Sequence, residues 1–393
     1  MSPVPTGSEA ADDSNVFAVT EYAPVSPPRR EFEPWHRPRK QWVRQSQWAG
    51  EIAWLRARDA DCVDDFRYLG LPGIDLLDVR DALSRFEWGR SAFRFLGFDR
   101  NAKPDGHARQ ALNVALSEVL SHPAVDPSSD VVGDELVLVA NQSSLAHLKA
   151  RQHGTFDLVN LDLCGHLGGG AADSSSELFE AIKAIFGLQQ RHPRAWVLLL
   201  TTRVGESNID GALLEKLCRL IEANMRGSSR FVREVDDHIP AVVPTVEALK
   251  GISTDDRPRV FLDTVSLGVS KWLLGMAVRA RERFEVSSVA QYKVLGNAVV
   301  PDMVSFAFRF TPADSIGLDG SGVTSSVDEL EHEQSMACDI PAVLGLAIDV
   351  DALLSGDADV RTEIEDEAVA LMQQARYDAS SYREWLAADG YRD

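Results

Sequence analysis

The stretch that decides the fold is Phe156-Asp157-Leu158-Val159-Asn160-Leu161-Asp162-Leu163-Cys164-Gly165-His166-Leu167, followed by Gly168-Gly169-Gly170. Phe156 to Leu161 is short and mostly apolar, the pattern of a strand covered on both faces of a parallel sheet. It ends in an acid, Asp162, and passes into a glycine-bearing loop. Ser174 to Gly187 then predicts a helix whose apolar face carries Leu178, Phe179, Ile182, Ile185 and Phe186. Open α/β sheets bind ligands beyond the carboxyl ends of their strands, so Asp162 stands where a ligand is met.

Outward from this unit, strand-like runs alternate with helical ones. Phe66–Gly70, Phe93–Phe98, Glu135–Ala140 and Ala195–Thr201 read as the first, second, third and fifth strands. Helices are predicted over Ile74–Phe86, Asp105–Leu120 and Gly211–Met225. Such alternation gives parallel pairs with right-handed crossovers, the doubly wound α/β layout. A helix over Asp263–Phe284 and two β-segments, Glu285–Leu295 and Met303–Thr311, follow. Gly296-Asn297 and Pro301-Asp302 punctuate the link between those segments, whose closeness predicts an antiparallel pair.

The ends of the chain differ from this middle. Residues 1–28 are rich in Pro, Ser, Ala and acid without periodicity, the composition of a disordered tail. Residues 29–60 form a basic aromatic arm, residues 61–325 the α/β domain, and residues 326–393 an acidic, partly helical extension. The best helix of that extension is Val360–Arg376, and its acidity suits a surface for a protein partner. No run of 18 apolar residues suggests a membrane span. The N-terminus has neither the basic start nor the apolar core of a secretory signal. Four scattered cysteines, Cys62, Cys164, Cys218 and Cys338, lack zinc-site spacing. A cytoplasmic protein is the simple expectation.

The net charge is −20, from 60 acidic and 40 basic residues, which argues against general coating of nucleic acid. A local basic site remains open, and the arm offers one. Trp35, Arg37, Arg39, Lys40, Trp42 and Arg44 interleave cations with rings, together with His36 and Trp48. Cations beside aromatics can track phosphates while bases stack on the rings. Equally, the tryptophans can pack on the domain while the cations stay wet. The two roles are compatible; a substrate-facing arm is expected to fold back over the strand-end face near Asp162 and form one wall of the acceptor channel.

Five parallel strands, a helix and an antiparallel pair resemble the Rossmann-like class I S-adenosylmethionine-dependent methyltransferases. The run FDLVNLDLCG is similar to the fourth-strand motif of the tRNA guanine-N2 methyltransferases and the three-Cys-motif partner proteins. Asp162 and Gly165 match that motif, while Leu163 and Cys164 stand where it has Pro and Phe. The resemblance implies S-adenosylmethionine as cofactor and a nucleic-acid acceptor, RNA ahead of DNA. It implies a catalytic Asp162 carboxylate with the Leu163 carbonyl and Gly165 beside it, receiving the hydrogens of an exocyclic amine. Gly70, Pro72 and Gly73 would form the cofactor loop, Asp99 would hold the ribose, and Asn141, Gln142 or Ser143 the adenine edge.

Plainer readings stand beside these. Gly70-Leu71-Pro72-Gly73 also makes an ordinary tight turn, and Asp99 and Asp162 suit loop or cap positions. Cys164 and His166 could suggest a thiol nucleophile or metal ligands, although catalytic Cys-His pairs form through space rather than adjacency. Gly168–Gly170 lacks the Lys-Ser/Thr of a phosphate-binding loop. The alternative to an enzyme is a methyltransferase-like scaffold or sensor subunit of a multigene bacterial system, without catalysis.

Overall fold

Eight strands make one sheet in the computed structural model, which describes residues 29–58, 64–89, 91–100, 107–167, 174–206, 209–294, 298, 300–313 and 329–388. They are β1 (Phe66–Gly70), β2 (Phe93–Phe98), β3 (Asp130–Val132), β4 (Leu158–His166), β5 (Trp196–Arg203), β6 (Glu282–Tyr292), β7 (Met303–Pro312) and β8 (Ile348–Asp349). Their spatial order is β3-β2-β1-β4-β5-β7-β6-β8. β1 to β5 are mutually parallel, and β7 runs antiparallel between β5 and β6. The fold is therefore α/β, doubly wound and mostly parallel, with the antiparallel C-terminal pair that the sequence predicts. The expected tail, Cys62, Gly168–Gly170, Gly296-Asn297 and residues 314–328 lie outside the described residues.

Strands β1 and β2 fall on the predicted residues, because each is a short apolar run followed by a turn. The third strand does not. Leu136–Ala140 forms a 3₁₀ helix, and Asp130–Val132 instead takes the slot beside β2, opposite Leu96, Gly97 and Phe98. Leu136 and Val139 are the buried members of the apolar run, three apart, which is helical rather than strand spacing. A second shift concerns the helix before β6, which spans Arg257–Arg279 and not Asp263–Phe284. Arg281, in the left-handed region at φ 59°, turns the chain directly into β6.

Alternate residues of the strands feed two cores, as the two-residue period requires. Val159, Leu161, Leu198, Leu200, Phe306 and Phe308 face the helices Ser174–Gln189, Gly211–Gly227 and Arg257–Arg279. The last of these is long and apolar enough to cross a membrane, but 89% of its apolar window is buried inside the protein. Tyr68, Phe93, Phe95, Leu158, Val197 and Leu199 face the other way. There they meet Trp42, Val43, Trp48, Ile52 and Leu55 of the expected arm.

The arm is thus a layer of the fold. Its helix runs through Pro38–Trp42, a π-helical turn Val43–Trp48 and Ala49–Arg58. Gln47 Nε2 donates to the Ser305 carbonyl at 3.0 Å, and Arg309 Nε to Glu51 Oε2 at 2.7 Å, fastening it to β7. The acidic segment is likewise part of the domain. β8 pairs with β6, and Leu371, Met372, Tyr377, Tyr382 and Leu386 form a small core with Phe32 packed against it. Its acids face the arm: Asp351 pairs with Arg39 and Glu363 accepts from Gln45 at 3.1 Å. Asp351 and Glu363 are thus engaged within the chain.

Candidate functional site

A cleft of about 700 Å³ lies beyond the carboxyl ends of β1, β2 and β4. That is the volume of a site for a sizeable small molecule. Leu71, Pro72, Gly73, Asp99, Asp162, Leu163 and Gly165 line it, so the loops after three strands converge as the sequence predicts. Trp35 and Arg44 of the N-terminal layer close one side. Asp134, Glu135, Leu136 and Val137, which follow β3, close another.

The β1 loop reaches the cleft through close packing. A Cβ on Gly97 of β2 would lie 2.8 Å from Pro72 Cγ, so only glycine lets the loop settle there. Gly73 sits at φ +62°, a conformation that side chains other than glycine rarely adopt. Gly70 does not line the cleft. A Cβ there would come within 2.5 Å of Tyr68 Oη, so its role is to admit the Tyr68 ring. Leu76 adopts φ 53° without being glycine, and the helix Leu77–Arg85 begins behind it. This strain lies beside the cleft, where Asp75 and Asp78 enter the lining.

β4 delivers Asp162 through an irregularity. Asp162 pairs with Thr201 and His166 with Arg203, so the chain between them bulges from the ladder. Bulges re-aim side chains, and here Leu163, Gly165 and His166 turn into the cleft. Lys40 Nζ donates to Asp162 Oδ1 at 2.5 Å and lies 4.2 Å from the centre of the Trp48 ring. Only 4% of the Lys40 side chain is exposed. Burial holds its ammonium below the usual lysine range, with Asp162 opposing that shift. Next to it, Arg44 Nε pairs with Asp78 Oδ1 at 2.7 Å, both buried. Burial pushes the Asp78 carboxyl up, and Arg44 counters it. Two arm cations therefore hold two cleft carboxylates.

Asp99 is buried at the end of β2, its N–H donating to the Val132 carbonyl at 3.1 Å. Asn141, Gln142 and Ser143 depart from expectation: all three are exposed and none lines the cleft. They follow the 3₁₀ helix instead of a strand end. Asn141 Oδ1 accepts from the Ser143 N–H at 3.1 Å and its hydroxyl at 2.8 Å, a local turn leading into the helix Leu145–His153. The residues that replace them at the cleft are Asp134 and Glu135, directly after the true third strand.

The arm is also divided. Trp35, 41% exposed, lines the cleft, whereas Trp42 and Trp48 are core. Arg39 pairs with Asp351, and the Arg37 guanidinium lies 5.1 Å over the Trp385 ring. The cations are thus engaged inside the protein. Sequence reasoning missed Asp75 and Asp78 and considered His166 only beside Cys164. The signal for the two aspartates was their place at the start of the first helix, beside the glycine turn. Burial and the Arg203 guanidinium hold the His166 imidazole below its ordinary value, and its Nδ1 is buried with no hydrogen-bond partner.

Fold and cleft define a doubly wound α/β protein with an acidic cleft at its strand ends. The chain matches the PP_RS20740-like family over residues 29–387 and belongs to that family. That span takes in the N-terminal layer and the C-terminal helices as well as the sheet. No curated protein matches it.

Proposed function

We propose that the protein is an S-adenosylmethionine-dependent methyltransferase acting on an amine nitrogen. The observation that carries this reading is the convergence of the Gly73 turn, Asp99 and Asp162 on one 700 Å³ cleft. Its layout agrees with the one on which the resemblance to class I methyltransferases rests. The residues suit the cofactor: the buried Asp99 carboxylate would accept from ribose hydroxyls, and the glycine turn at Gly73 would admit its methionine part close to backbone. The acidic lining complements the sulfonium and ammonium charges.

Bound there, the cofactor supplies a methyl group on a cationic sulfur, transferred by in-line displacement. The chain then has mainly to align and to exclude water. Asp162 accepts a hydrogen from the acceptor amine and orients its lone pair. Lys40 occupies one oxygen of Asp162 and fixes the plane of the carboxylate. The Leu163 carbonyl can take a second hydrogen.

Calorimetry with S-adenosylmethionine and S-adenosylhomocysteine tests the cofactor reading; folded protein that binds neither would overturn it. The Lys40–Asp162 pair also favours a second reading, a scaffold whose acid is permanently engaged. Methyl transfer that vanishes in Asp162→Asn with cofactor affinity intact would sink that second reading.

A further inference from the structure

The sequence admits a nucleic-acid acceptor because the arm is basic. In the folded chain that basis is spent internally: Arg39 on Asp351, Lys40 on Asp162 and Arg44 on Asp78, with Arg37 over Trp385. The cleft itself is acidic. Beyond the pairs just named, Asp99, Asp134 and Glu135 line it against Arg100. His166 is neutral near pH 7, because burial and Arg203 disfavour its charged form, and so does not offset them. A phosphate backbone entering here would meet like charge, in a protein already at −20.

One large aromatic surface remains available at this acidic cleft. Trp35 is 41% exposed and lines it, with its carbonyl 3.4 Å from Arg44 Nη1, which ties the ring's backbone to the cleft wall. A tryptophan face binds planar rings and cations alike. Opposite chemistry lies at Asp162, whose carboxylate has acceptor sites for an N–H besides the one that Lys40 occupies. The volume also bears on the choice, since about 700 Å³ shared with a cofactor leaves room for a compact ligand.

We propose that the methyl acceptor is a small planar heterocycle bearing an amine, neutral or cationic, stacked on Trp35 with its N–H directed to Asp162, and not a nucleic-acid strand. This rests on the methyltransferase reading and narrows its substrate. The amine gives its lone pair to the methyl carbon as the carbon–sulfur bond breaks. It then loses one proton to solvent, leaving a methylated amine and the neutral thioether.

The test uses the full chain, saturated with S-adenosylhomocysteine, titrated with 4-aminoquinoline as a planar cationic probe and with a 20-nucleotide single-stranded RNA. Saturable binding of 4-aminoquinoline is expected, weakened roughly tenfold by Trp35→Ala and much less by Trp35→Phe. RNA is expected to bind more weakly and without dependence on Trp35. Because Trp35 is a partly exposed ring, the variant's melting temperature serves as the check on folding. Absence of 4-aminoquinoline binding, binding indifferent to Trp35→Ala, or tighter RNA binding lost in Trp35→Ala would overturn the proposal. Failure of the cofactor reading shows separately, as no heat with S-adenosylhomocysteine. The probe titration on the cofactor-free chain still reports on the Trp35 surface.

Discussion

Asp162 and Lys40 are 122 positions apart, yet Nζ and Oδ1 meet at 2.5 Å in a setting where both are largely buried. Taking two charges from water is expensive, and their attraction offsets this only while both are present. Lys40→Met is therefore expected to destabilise by about 3 kcal/mol, since it leaves Asp162 without its ammonium. Adding Asp162→Asn should recover part of that loss, and a double-mutant cycle by urea melts checks it. Strict additivity of the two changes would show that they do not communicate. Asp99 invites a different expectation. Asp99→Ala should weaken S-adenosylhomocysteine binding by about 1.5–3 kcal/mol, the scale of charge-assisted hydrogen bonds, with little change in melting. Unaltered affinity in calorimetry would reduce Asp99 to a loop acid. Both aspartates were legible in the sequence because each ends an apolar strand; the Lys40 partner was not, because pairing across a fold has no local signature.

At the scale of elements, the N-terminal helix changes meaning between sequence and structure. Its tryptophans and cations read as an arm toward a polyanion, but Trp42 and Trp48 pack on the sheet and the cations meet acids or rings. The acids belong to the first helix, to β4 and to the C-terminal segment. Nothing in the arm's own composition distinguishes a cation that will find an internal carboxylate from one that stays in solvent. The triple variant Arg37→Ala, Arg39→Ala and Lys40→Ala should therefore lose thermal stability, by several degrees or more, instead of losing RNA affinity alone. A variant that melts like the parent while its RNA binding falls would restore the substrate-facing arm. The misplaced third strand has a similar cause. Leu-Val-Leu-Val-Ala is apolar throughout, and a run without periodicity does not separate a buried strand from a buried helical turn. That error moved the adenine-edge expectation to Asn141–Ser143, one element too far along the chain.

Across the whole molecule, one buried acid away from the cleft lining probes the packing of the core. Glu282 begins β6, is only 6% exposed, and accepts from Trp196 Nε1 at 2.9 Å while its other oxygen has no partner. Burial pushes its carboxyl from 4.5 up to about 7, with the Trp196 hydrogen bond opposing. A folded pKa above the unfolded one means the protonated form is favoured in the native state. Its stabilising contribution is then complete below about 4.5 and is lost as pH rises through about 7. Glu282→Gln cannot ionise and keeps an oxygen for Trp196. The stability of the variant relative to the parent should therefore rise across that window, by roughly 3 kcal/mol in total. His153, held down to about 4 mainly by burial and secondarily by Arg94, works in the opposite sense, losing stability as pH falls from 6.5. It is present in both proteins and cancels in the difference. Urea melts of parent and variant at pH 4.5, 6, 7 and 8 measure that difference directly. A difference that stays flat over this range would mean that Glu282 ionises in the folded protein as readily as in the unfolded chain.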